Sequence, residues 1–316
     1  MNFFSDNILN RHSELRTNAA FIQGKLSADT TRFILVCDNK SLVLSGEKPK
    51  AALLQRHELG DLLEQAGLQV FLGVEDEVAY FALGLDGMQD QVETQLGQAY
   101  TFTDLKTVAL QMPRKQSALL AYARAMVHWN LRHLFCADCG NPTQSSEAGH
   151  VRKCKQEGCG KSHFPRTDTA VIVLISEGDA CLLGRGAAWP EGRYATVAGF
   201  LEPGETLEQA VAREAQEETG VALESIRYHS SQPWPFPASI MVGFMATASN
   251  RHLQVDYTEL EDARWFTRDE IVEGLQNGTL ILPPRVSISY NLIRDWFDQL
   301  PGYQLEKFLR QEQGGW

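Results

Sequence analysis

No apolar run in this 316-residue sequence approaches the roughly 18 to 20 residues that a membrane-spanning helix needs. No signal peptide is expected either: Met1 to Asn18 is polar and has no apolar h-region. Cationic charge is scarce, with 29 Lys and Arg against 40 Asp and Glu and a net charge of −11. Such a balance exerts no long-range pull on phosphate backbones, which argues against a sequence-independent nucleic-acid binder. Internal repeats and low-complexity linkers are absent, and 43% hydrophobic with 22% charged residues suits a folded globular chain. These absences point to a cytoplasmic protein with no membrane partner. At about 150 residues per domain, the length suggests two domains with a small module between them.

The pattern along the chain divides at the cysteines and at Pro165. Residues 1–132 read as an α+β domain, 133–165 as a zinc ribbon, and 166–316 as an α/β/α sandwich with a mixed sheet. In the first part, Phe33–Cys37 and Leu42–Leu44 flank a turn at Asp38-Asn39-Lys40, and Gln69–Val74 and Glu77–Leu83 read as paired strands. Apolar residues at helical spacing predict a helix over Ala51–Ala66 that stops at Gly67, and another from Ser117 to Arg132. After Pro165, Thr169–Ser176 reads as a central strand with Cys181–Leu183 as its neighbour. Further strands are expected at Ile240–Ala246 and Ala263–Phe266, and helices at Glu205–Thr219, Arg268–Leu275 and Ser287–Trp296.

Six cysteines are present, and four lie within 24 residues. Cys37 and Cys181 stand alone in apolar stretches and read as small buried hydrophobes. The others follow Cys136-x2-Cys139, 14 residues, then Cys154-x4-Cys159, which suits four thiolates around one tetrahedral zinc. Gly140 and Gly160 follow directly and suit tight turns. His150 and His163 are rival ligands, and disulfides or free thiols are the plain alternatives. A closed four-sulfur site has no open position, so the zinc would be structural.

The decisive segment runs from Gly199 to Val221. Glu214, Glu217 and Glu218 fall at i, i+3 and i+4 and so share a helix face, where like charges repel by a few tenths of a kcal/mol. Divalent cations bound through oxygen relieve that repulsion, and Mg²⁺ commonly joins carboxylates to phosphates. Thr206-x-x-Gln209 can form a capping box, and Gly220 can end the helix in a left-handed conformation. A solvated acidic face is the ordinary reading of such glutamates, but it leaves the glycines and Arg213 unexplained. Gly199, Glu205, Arg213, Glu214, Glu217, Glu218 and Gly220 fit Gly-x5-Glu-x7-Arg-Glu-aliphatic-x-Glu-Glu-x-Gly-aliphatic. The segment therefore resembles the Nudix hydrolases, which cleave nucleoside diphosphates linked to another moiety. The resemblance implies that Glu214, Glu217 and Glu218 hold two or three Mg²⁺ or Mn²⁺ ions against a pyrophosphate. Arg213 would orient a glutamate, and Glu205 would be structural support.

Ser231-Gln232-Pro233-Trp234-Pro235-Phe236-Pro237-Ala238-Ser239 alternates prolines with aromatics. Alone, it reads as a stiff loop packed on the core, although its rings could also stack on bases. Ten residues after a Nudix box, and behind a four-cysteine ribbon, it resembles the NADH pyrophosphatase branch of that family. Carried over residue by residue, Phe200 would stack on the nicotinamide, and Ala198 with Gln232, Pro233, Trp234, Pro235, Phe236, Pro237, Ala238 and Ser239 would line the dinucleotide site. Glu259 matches a further metal-binding glutamate. Ser289 falls where the family has an Ala against substrate, and Lys106 where it has a basic residue. Phe164-Pro165-Arg166 matches a Tyr-Pro-Arg element without its hydroxyl, an aromatic used across a homodimer interface.

The activity so implied is hydrolysis of NADH or NAD⁺ to NMN(H) and AMP, with removal of NAD caps from RNA 5′ ends. Two other readings stand beside it. One is a broader pyrophosphatase acting on ADP-ribose or dinucleoside polyphosphates. The other is a zinc-ribbon nucleic-acid-binding regulator with a non-catalytic Nudix domain.

Overall fold

The computed structural model describes residues 2–7 and 9–309, which form two units, each described by itself. One holds the described residues of Asp6–Thr167 together with Trp234–Ala238. It begins with α1 (Ala19–Ser27), capped by the Asn18 side chain, which accepts from Phe21 N. Next come β1 (Arg32–Cys37) and β2 (Lys40–Leu44), an antiparallel hairpin. Its two turn residues, Asp38 and Asn39, take φ of 48° and 63°, a left-handed pair that Asp and Asn tolerate best among residues with a Cβ.

The helix expected over Ala51–Ala66 does not form as one element. Ala51 belongs to a short strand, β3 (Lys50–Ala51), and Leu54 is bridged to Phe33. Two single turns follow, α2 (Arg56–Leu59) and α3 (Leu62–Gln65), separated at Gly60 with φ 51° and ψ −127°. Leu54, Leu59, Leu62 and Leu63 are all buried, so the apolar spacing reflects a core face but not a continuous helix. The unit continues with β4 (Leu68–Glu75), β5 (Val78–Gly84), α4 (Gln89–Leu96), β6 (Tyr100–Thr103), α5 (Leu105–Val108) and α6 (Arg114–Arg132). The sheet order is β3-β2-β1-β5-β4, with β6 on β2 and β1 parallel to β5. In the same unit, β7 (Thr143–Ser146), β8 (Val151–Cys154) and β9 (Ser162–His163) make a three-stranded antiparallel ribbon.

The other unit contains β10 (Asp168–Glu177), β11 (Ala180–Arg185), β12 (Val197–Phe200), α7 (Leu207–Thr219), β13 (Leu223–Trp234, all but its last residue), β14 (Ser239–Ala248), β15 (Asp262–Thr267), α8 (Arg268–Asn277) and α9 (Ile288–Phe297). Its sheet runs β13-β14-β10-β11-β15, with β12 also on β10. β10 pairs parallel with β14 and antiparallel with β11 and β12, so the sheet is mixed. Successive β10 side chains point to opposite faces. Val171, Val173 and Ile175 pack with Ala210, Val211 and Ala215 of α7. Ile172 and Leu174 pack with Ile271 and Leu275 of α8 and Leu292 and Ile293 of α9. Each fully buried aliphatic side chain contributes about 1.5–3 kcal/mol, which fixes both helix layers on the sheet. The polar strand β13 has no strand signature in its sequence, and it lies at the end of the sheet order, where Pro233 is tolerated. Among the described residues no helix is long and apolar enough to cross a membrane.

Candidate active site and zinc centre

The ends of α7 are built as its sequence dictates. Thr206 Oγ1 accepts from Gln209 N at 3.2 Å, and Gln209 Oε1 accepts from Thr206 N at 2.8 Å, closing the capping box. Gly220 ends the helix at φ 71°. Val211 and Ala215 face the core, which leaves Glu214 and Glu218 on the flank, each 7% exposed, while Glu217 is exposed.

Gly199 on β12 lies directly against Glu214. A Cβ on that glycine would stand 1.9 Å from the Glu214 carboxyl carbon, so the carboxylate occupies the space that a side chain would take. Arg213 then organises the acids. Its Nε and Nη2 donate to the two oxygens of Glu205 at 2.6 and 3.0 Å, and its Nη1 to Glu214 Oε1 at 2.8 Å and Glu217 Oε2 at 3.0 Å. Nη2 also donates to the Phe200 carbonyl at 2.9 Å. Arg213 is thus engaged with its own chain, and Glu205 braces it while accepting from Glu202 N at 3.0 Å. The Arg213 guanidinium keeps Glu205 below the usual carboxylate range.

Glu259 sits on a loop near enough for its charge to act on Glu214 and Glu218. Gln254 N donates to Thr219 O at 2.9 Å and Asp256 N to Glu218 O at 3.0 Å, which docks the loop on the end of α7. Thr258 N and Oγ1 both donate to Asp256 Oδ1 at 2.8 Å, and Glu259 N to Asp256 O at 3.2 Å. Burial pushes the Glu218 carboxyl up to about 8, and the charges of Glu214 and Glu259 add to the effect. Glu214 is also raised, chiefly by burial, despite its bond to Arg213. A cluster with more negative charge than its arginine neutralises fits a hard divalent cation bound through oxygen.

The residues expected to meet substrate are placed unevenly. Ala198 is exposed on β12, and Phe200 is 61% exposed with its carbonyl held by Arg213. Gln232 is fully buried: its Nε2 donates to Phe3 O and Val286 O at 3.2 and 2.7 Å, and its Oε1 accepts from Ile288 N at 2.8 Å. Its amide is therefore spent on tying the end of β13. Ser289 is 3% exposed, with Oγ 2.8 Å from Thr196 Oγ1 and accepting from Thr196 N at 3.2 Å. The segment Pro235–Ala238 forms the turn between β13 and β14, where the Trp234 and Phe236 rings meet edge to face at 5.3 Å. Lys106 Nζ lies 5.0 Å from the Phe236 ring centre. Phe164 is 67% exposed. A buried arginine on α6, Arg124, also touches this turn; its only trace in the sequence is a charge within an otherwise apolar helix face.

The four expected sulfurs converge. Among the described residues, Cys136, Cys139, Cys154 and Cys159 form a ligand cluster with all Sγ atoms within 4.8 Å of one another. Two pairs approach to 3.9 Å (Cys136 and Cys159) and 3.5 Å (Cys139 and Cys154), far beyond disulfide length, so the disulfide alternative falls. The Asn141 backbone N–H holds the Cys139 thiol down to about 6. Sulfurs so gathered fit a structural zinc. His150 is not among them: it is buried, with Nε2 2.7 Å from Phe71 O. His163 stays outside the sulfur set, with Nε2 3.2 Å from Cys136 Sγ. Cys37 and Cys181 are fully buried, and burial pushes both thiols up.

The comparisons agree with this construction. A NUDIX domain family matches residues 165–284, an NADH pyrophosphatase zinc ribbon domain 131–164, and an NADH pyrophosphatase-like rudimentary NUDIX domain 30–129. Human "NAD-capped RNA hydrolase NUDT12" is 36% identical, over 93% of this chain and 73% of its own. "NAD-capped RNA hydrolase" of Schizosaccharomyces pombe is 32% identical over 93% of both chains. Human "NAD(P)H pyrophosphatase NUDT13, mitochondrial" is 34% identical over 79% of this chain and 78% of its own. The chain belongs to the Nudix hydrolase family, in the branch that carries the NADH pyrophosphatase zinc ribbon.

Proposed function

We propose that this chain hydrolyses the pyrophosphate of NADH and NAD⁺, giving NMN(H) and AMP, and removes NAD caps from RNA 5′ ends. The observation that carries the reading is the folded Gly199–Val221 motif, with its carboxylates gathered around Arg213, in a chain aligned over 93% of its length with relatives named for NAD-cap hydrolysis. Glu214, Glu217, Glu218 and Glu259 would hold two or three Mg²⁺ or Mn²⁺ ions. Bound there, such cations neutralise a pyrophosphate and lower the pKa of a water that attacks phosphorus. Arg213, braced by Glu205, orients Glu214 and Glu217. Phe200, with Ala198, would receive the nicotinamide end, and Gln232–Ser239, Ser289 and Lys106 would shape the dinucleotide site, Gln232 and Ser289 by bracing it.

The domains we assign are 1–132, 133–165 and 166–316, with one structural zinc in the ribbon. The exposed Phe164 ring supports a homodimer in which it meets the other copy's substrate. Thiolates that must stay reduced to bind zinc support a cytoplasmic setting. Offering NADH, NAD-capped RNA and ADP-ribose side by side and identifying the products by mass spectrometry tests the function. NMNH and AMP from NADH are expected, and a higher kcat/KM for ADP-ribose refutes the proposal.

A further inference from the structure

A buried arginine is costly unless its fork has something to hold. Arg124 lies in α6 beside the buried Ala121, Ala123, Met126 and Val127, and is itself 8% exposed. Among the described residues no carboxylate hydrogen-bonds it, and its donors go to main-chain carbonyls. Nε donates to Asn39 O at 3.0 Å, in the turn between β1 and β2. Nη1 donates to Pro235 O and, at 3.5 Å, to Pro237 O. The guanidinium carbon lies 4.9 Å from the Phe236 ring centre, and Lys106 Nζ is 5.0 Å from the same ring. Burial lowers the Arg124 pKa, with only the charge of Asp104 opposing it, so the fold holds this cation at a cost. An apolar side chain of the same volume would pack more cheaply. What Arg124 grips is a segment with three prolines, whose missing N–H groups leave carbonyls as its main handles.

We infer that Arg124 is a positioning residue for the Trp234–Ala238 turn, clamping the Pro235 and Pro237 carbonyls and the Phe236 ring so that the turn presents a preformed face to a dinucleotide. The inference rests on the dinucleotide hydrolysis proposed above. A preformed face lowers the ordering cost of binding and leaves bond cleavage alone, so its loss appears in KM.

Arg124→Met keeps an unbranched apolar stem and removes the fork, while Arg124→Lys keeps the charge. For Arg124→Met, KM for NADH should rise about tenfold with kcat within about threefold of wild type, and Arg124→Lys should fall between the two. Hydrogen exchange at the Trp234, Phe236 and Ala238 amides should speed up about tenfold while β10 stays protected. Exchange needs no substrate, so a wild type that leaves NADH intact refutes the functional reading while the clamp is still measured. Unchanged exchange at those amides, or an unchanged KM with NADH turned over, overturns the inference. If Arg124→Met fails to fold, Arg124→Lys is judged on the same two measurements.

Discussion

Placing a methyl group on Gly199 is the sharpest test of the acidic site. That Cβ would stand 1.9 Å from Cδ and Oε1 of Glu214 and 2.3 Å from Oε2. Non-bonded heavy atoms settle near about 3.5 Å, so the carboxyl must retreat by about 1.6 Å or β12 must bend away. Overpacking of this kind costs about 1–3 kcal/mol of stability. The greater damage falls on catalysis, because a shift of about 1 Å in a positioned group can cost about 100-fold, or about 2.7 kcal/mol of barrier. Gly199→Ala should therefore fold with a modestly lower Tm and turn over NADH about 100-fold more slowly. Gly204→Ala is the control. Its φ of 96° makes the substitution strained, but its Cβ meets nothing within 4 Å. It should lose about 1–2 kcal/mol of stability and keep its turnover. Rates come from AMP release by liquid chromatography, and Tm from circular dichroism. If Gly199→Ala works within about fivefold of wild type, Glu214 is not held where the chemistry needs it, and the reasoning fails.

Other outcomes follow from the same geometry. Glu218→Gln should lower kcat about 10²- to 10³-fold, the several kcal/mol of charge stabilisation that a metal ligand supports, with Tm unchanged or raised because a strained buried carboxylate is gone; undiminished turnover rejects the metal site. Elemental analysis should find one zinc per chain, and Cys154→Ser should abolish it and lower Tm; a variant that retains zinc rejects the four-sulfur assignment. His150 makes the ribbon acid-sensitive: burial holds its imidazole near pKa 4 in the fold, against about 6.5 when unfolded. The folded state resists a proton that the unfolded chain accepts, so stability is complete above pH 6.5 and is lost between pH 6.5 and 4. The loss is about 2 kcal/mol at pH 5 and about 3 kcal/mol below pH 4. Urea titrations at pH 7 and pH 5 should show that His150→Gln loses less than wild type; equal losses contradict this account.

What the sequence made legible was local. The Cys136–Cys159 spacing, the two caps of α7 and the apolar run of β10 each carry their own instructions within a few residues, and each is found where expected. Features that depend on distant partners were not legible. The face of Leu54, Leu59 and Leu62 looks helical, but the pairing of Leu54 with Phe33 and the left-handed φ of Gly60 break it. β13 was missed because an edge strand can be polar and can carry a proline. The partners of Gln232 were hidden too, because Phe3 O and Val286 O, which take both of its donors, lie far off in sequence. Arg124 left no more than a lone charge in an apolar helix, because carbonyls, which every residue carries, are what it binds.

Arg213 divides the carboxylates it holds. It bonds one oxygen each of Glu214 and Glu217, and among the described residues no hydrogen bond reaches their other oxygens. Half of each carboxylate is therefore spoken for by a permanent internal cation, and half is left over for a transient one. No hydrogen bond from a cationic Lys or Arg reaches the ribbon sulfurs among the described residues, so a zinc ion would be the charge that balances them. On the function proposed above, one chain would hold its two kinds of metal on different terms: the zinc as part of the fold, and the divalent ions as exchangeable visitors to a frame already set.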